Sequence, residues 1–123
     1  MAAPNLLSLT TGTGKTAYLT PANTTANVLL ANSASSGKVY KINQIVAANT
    51  TGTAANATIA VNSAAAGSGT SYSIAGAISV PANASLIVVD KTTAVYLEED
   101  KSILCTSGTS SSITYTISYE DLS

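Results

Sequence analysis

The run SITYTISYE, from Ser112 to Glu120, places Ile113, Tyr115, Ile117 and Tyr119 at every second position, with Thr or Ser between them. A period of two belongs to a β-strand with one face in a core and the other in water. The same period recurs upstream. From Lys38 to Ala47, Tyr40, Ile42 and Val46 fall on one face, while Lys41 and Asn43 fall on the other. Ala57 to Val61 puts Ile59 and Val61 together, and Leu86 to Val89 is apolar throughout, as expected of a central strand covered on both sides. Tyr18 to Leu19, Val28 to Ala31, Tyr72 to Val80, Ala94 to Leu97 and Ile103 to Thr106 complete the set. Strands at intervals of about 8–12 residues predict an all-β fold, a single-domain antiparallel β-sandwich of jelly-roll or immunoglobulin-like type. About eight strands are expected on that spacing.

The segments between these runs read as turns. Ser35-Ser36-Gly37, Thr50-Thr51-Gly52-Thr53 and Ala66-Gly67-Ser68-Gly69 tolerate positive φ. Pro21 and Pro81 each stop a strand, because proline has no N–H for the ladder, and each opens a similar string, PANTT and PANAS. No helical stripe competes, since the alanines are interleaved with Thr, Ser, Asn and Gly, which oppose a helix. The 123 residues suit one domain spanning 1–123. Residues 1–10, with Pro4, Leu6, Leu7 and Leu9, form a candidate N-terminal arm that packs on a neighbour. Only 9% of residues are charged, yet 46% are hydrophobic, so the chain is expected to fold.

Several functions are disfavoured by composition. The net charge is −1 and all five basic residues are Lys, which gives neither a long-range field for nucleic acid or membrane nor a bidentate phosphate reader. The stretch LTTGTGKT, Leu9 to Thr16, ends like a P-loop, but the first glycine that G-x-x-x-x-G-K-[ST] requires falls on Leu9. It is expected to be a Gly-rich turn before a strand. There is no His, so no Ser-His-Asp or Cys-His arrangement can form, and the chain is expected not to be an enzyme. Glu98-Glu99-Asp100-Lys101 is the one charge cluster. It could hold a divalent cation or contribute to glycoside hydrolysis with Asp90, Glu120 or Asp121, but a solvated hairpin tip is the expected reading. Cys105 is alone beside Ile103 and Leu104, a buried hydrophobe in expectation, and it supports neither a disulfide nor a Cys-based metal site. The start MAAPNLLSL lacks the basic region of a signal peptide, and the N-x-S/T triplets at Asn23, Asn49, Asn56 and Asn83 are common by chance in such a composition. No cofactor is implied. What remains is surface: with Trp and Phe absent, tyrosine is the natural interface anchor, and Tyr18 and Tyr72 are the candidates beside Leu6, Leu7 and Leu9.

The segments GKVYKINQIVAANTTG, VPANASLIVVDKTTAVYLEEDKSILC and SYEDLS, within Gly37 to Ser123, resemble small virion structural proteins of tailed bacteriophages, in the style of marine and cyanobacterial phages. The resemblance implies a β-sandwich that decorates or cements the head shell, made in the host cytoplasm and located on the capsid surface. It implies the major capsid protein as partner and a homo-oligomer, a trimer foremost. A neck, tail or fibre component is the nearest alternative, and a carbohydrate-binding or adhesin-like surface module is an alternative of another class. Leu9 to Thr16 lies outside the resemblance.

Overall fold

A computed structural model describes residues 5–123, so the first four residues of the expected arm lie outside the described residues. Nine strands follow in chain order: β1 (Gly12–Leu19), β2 (Asn27–Asn32), β3 (Val39–Asn49), β4 (Ala55–Asn62), β5 (Ser71–Val80), β6 (Ser85–Val89), β7 (Val95–Leu97), β8 (Lys101–Ser107) and β9 (Ile113–Leu122). A 3-10 turn, Lys91–Thr93, separates β6 from β7. One sheet runs β1-β9-β3-β6 with β7 also on β3, and the other runs β2-β8-β4-β5; every pairing is antiparallel.

β6 and β7 pair with two halves of the same strand, at Ile45–Ala48 and Tyr40–Ile42 of β3. They amount to one edge strand interrupted by the 3-10 turn. Counted so, the molecule has two four-stranded sheets, with the first strand paired to the last and most connections crossing between sheets. That order is a jelly roll rather than an immunoglobulin sandwich, whose first strand pairs with its second.

The period-two pattern is realised in the core. Ile113, Tyr115 and Ile117 of β9 are fully buried and face Ile59 of β4 and Ile103 and Cys105 of β8 across the sandwich. Burying each such Ile contributes roughly 1.5–3 kcal/mol relative to exposure. Ala47, Ala55, Ala57 and Ala75 fill the places between them, so alanine serves packing between the sheets. The buried Tyr115 hydroxyl donates to the Thr106 carbonyl at 2.8 Å.

Three expectations are corrected. In β3, Ile42 opposes Tyr119 and Gln44 opposes Ser118, which leaves Asn43 as an unpaired bulge. The bulge inverts the alternation, so Ile45 and Ala47 point into the core and Val46 does not share a face with Ile42. Leu86 to Val89 is an edge strand, not a central one: its register slips at Val88 and Ile87 is 60% exposed. The stretch Gly12–Thr16 is strand rather than turn. The Thr10 and Thr11 amides both donate to the Ser123 carbonyl, so the extended pairing is under way before the glycines arrive.

Three strands end on a buried asparagine. Asn32 donates to the carbonyls of Lys38 and Leu97; Asn49 donates to those of Thr53 and Val80. Asn62 donates to the Gly69 carbonyl and to Ser71 Oγ. Each amide oxygen accepts as well: from Ser36 Oγ for Asn32, from the Thr51 amide and hydroxyl for Asn49, and from the Ala64 and Gly69 amides for Asn62. The side chain thus replaces the ladder where the strand stops and the loop begins.

Candidate interaction surface

The four edge strands are β1 and β6 of one sheet and β2 and β5 of the other. Between them they contain one charged residue, Lys15. Lys15 Nζ donates to Asp121 Oδ2 at 2.9 Å, and Lys38 Nζ reaches the same oxygen at 3.2 Å. The edges do carry exposed apolar side chains: Tyr18 on β1 (76% exposed), Val28 on β2, Tyr72 (65%), Ile74 and Ile78 on β5, and Ile87 on β6. Soluble sheets usually guard their edges with lysine, proline or bulges. β5 has bulges, with register shifts near Ile74 and near Gly76–Ala77, and β6 is short. β1 has neither: its eight residues pair with β9 in unbroken register, and its outer backbone edge is open.

The structure separates the predicted interface residues into three places. Leu6 and Leu7 are exposed, Leu7 at 95%, while Leu9 is half-buried, all just before β1. Tyr18 stands near the far end of β1, about 20 Å along the strand from Gly12. Tyr72 lies on β5, in the other sheet. Ile74, Ile78 and Ile87, which the sequence reading did not single out, belong with Tyr72 on the side where β5 and β6 form neighbouring edges. Their only signal was alternation that continued without charge. Tyr115 takes its expected core place; Tyr119 is half-buried, its ring 5.0 Å from that of Tyr40.

Other candidate chemistry finds little support in the geometry. Around Lys15 the backbone is extended, no helix follows, and the ammonium is occupied by Asp121, so the GKT makes no phosphate cradle. Burial pushes the Asp121 carboxyl up, but hydrogen bonds and charge from Lys15 and Lys38 outweigh it and hold it below the ordinary value. At the β7–β8 turn, Asp100 accepts from the Ala65 amide, and both Glu99 carboxylate oxygens are shielded from solvent with no hydrogen-bond partner among the described residues. The expected solvated tip is therefore solvated only in part. No three His, Cys, Asp or Glu side chains gather to hold a metal ion among the described residues. The Cys105 thiol is fully buried, and desolvation pushes it up to about 12. Among the described residues no helix is long and apolar enough to cross a membrane.

No protein-family model matches the chain, and no curated protein matches it.

Proposed function

We propose that this chain is a structural protein of a tailed-bacteriophage particle, a head-decoration protein that binds the capsid shell and associates with copies of itself, a trimer foremost. The role is assembly rather than catalysis. One observation carries it: four edge strands hold a single charge, Lys15, which is paired with Asp121, and display Tyr18, Val28, Tyr72, Ile74, Ile78 and Ile87 to solvent. A free monomer with such edges is an aggregation hazard, whereas a protein that lives in an assembly covers them. The jelly-roll order, shared by viral capsid domains, and the phage resemblance of Gly37 to Ser123 support the reading by analogy. The major capsid protein is the partner, with Leu6, Leu7 and the open edge of β1 as the grip.

The test is the copy number of this chain in purified particles from its source, by quantitative mass spectrometry against the major shell protein. A number comparable to the shell protein is expected. A few copies per particle would move the chain to the neck, tail or fibre, and absence would overturn the virion assignment.

A further inference from the structure

We propose that a cleft on the outer face of the β1-β9-β3-β6 sheet is a saccharide-binding site. The cleft lies at the Asn43 bulge and the 3-10 turn after β6. Asn43, Gln44, Asp90, Lys91, Thr92 and Ser118 line it. Its volume of ≈ 560 Å³ falls within the roughly 300–1,000 Å³ of small-molecule sites.

The lining is arranged rather than loose. Asp90 Oδ1 accepts from the backbone amide of Thr92 at 2.9 Å and from its hydroxyl, and the Asp90 amide donates to Thr93 Oγ1 in return, which closes a capping box. The carboxylate is thereby oriented and ionised, with Oδ2 left unbonded among the described residues. Asn43 Nδ2 donates to Glu120 Oε2 at 3.1 Å, which fixes the amide and leaves Asn43 Oδ1 free to accept. The Gln44 amide and the Lys91 ammonium have no side-chain partner among the described residues, and the Ser118 hydroxyl lies 3.3 Å from Thr16 Oγ1.

The cleft therefore offers both donors and acceptors. Asp90 and Lys91 are adjacent and opposite in charge, so neither an anion nor a cation is selected. Vicinal hydroxyls, each both donor and acceptor, match that mixture. None of the six lining residues is aromatic, so a nucleobase has no stacking platform and a single sugar should bind in the millimolar range. The site does not depend on the virion assignment and is tested apart from it.

Backbone amide spectra of the full chain would be recorded during titration with the methyl glycosides of glucose, galactose, mannose and N-acetylglucosamine, and with inorganic phosphate as a charged control. A glycan array would extend the search to oligosaccharides. We expect shifts from at least one saccharide confined to Asn43, Gln44, Asp90–Thr92 and Ser118, with phosphate silent. Gln44→Ala, which removes an exposed and unbonded amide, and Asp90→Ala should each weaken binding roughly tenfold, the loss of one or two polar contacts. The first keeps the fold even if the second disturbs the 3-10 turn. No cleft shifts together with an array without binders would overturn the proposal. So would phosphate binding without sugar binding, or shifts that survive both substitutions.

Discussion

Asn49 shows how far a residue's place in the fold can differ from its local sequence context. In sequence it opens one of four N-x-S/T triplets; in the structure it is 3% exposed and its side chain binds four groups from three residues. Asn49→Ala would strand the Val80 carbonyl and the Thr51 amide, a cost of about 3 kcal/mol. Thermal unfolding should move down by more than about 10 °C. The exposed Asn56→Ala, in another triplet, should stay within about 0.5 kcal/mol of the parent. Nothing in the composition separates these two asparagines, because what differs is the long-range carbonyl that each meets. Asp121 supports a second prediction. Its folded pKa lies below its unfolded one, so its contribution is present above the ordinary carboxyl pKa of about 4 and fades as pH falls through the lower folded value. With both lysines nearly half exposed, screening limits the contribution to about 1 kcal/mol. Asp121→Asn should therefore be less stable than the parent at neutral pH, and the gap should close as chemical denaturation is repeated at pH values below that range.

At the scale of elements, a stretch of each of the nine strands was legible, in some by alternation of Ile, Val and Tyr with Thr, Ser and Asn, in others as a short apolar run between turn residues. What was not legible is where alternation breaks and which strands stand at an edge. A bulge at Asn43 changes the phase within β3 without any glycine or proline to mark it, and the continuous run Leu86–Val89 mimics a central strand because its own register slips. Deleting Asn43 leaves Ile42, Gln44 and Ile45 opposite Tyr119, Ser118 and Ile117 in continuous register with both isoleucines still inward, so the variant should keep a cooperative thermal transition. The edges lead to a further prediction. Tyr72→Lys and Ile74→Lys on β5 alter exposed side chains and should change stability by about 0.5 kcal/mol or less. Sedimentation should nevertheless show weaker self-association, and the double variant should bind purified particles less well. Unchanged association would remove the β5 side from the interface. The candidate interface was half legible for the same reason: Tyr72 stands out as a large residue in a Gly/Ser setting, whereas Ile74 and Ile78 carry no mark beyond their place in a strand.

For the whole molecule, the strand order is set by pairings between distant parts of the chain, and a period of two carries no record of them. Gly12 lies opposite Leu122 and Leu19 opposite Tyr115, so β1 has no sheet to join until β9 exists. Closure of such long loops precedes any stabilising contact, which places folding in the millisecond-to-second range expected for all-β sandwiches. Stopped-flow refolding should find it there. A chain ending at Ile117 would lose half of the β1 and β3 partners on β9 and should not refold. The same closure has a practical consequence. Since the amides of Thr10 and Thr11 rest on the carbonyl of Ser123, the segment that enters β1 and the residue that follows β9 are already neighbours, and the sandwich is closed at that seam like a ring. A circular permutant joined across that seam and reopened in the exposed segment 22–26 would carry new termini to the opposite pole, turning over the end of the molecule from which a fused cargo projects.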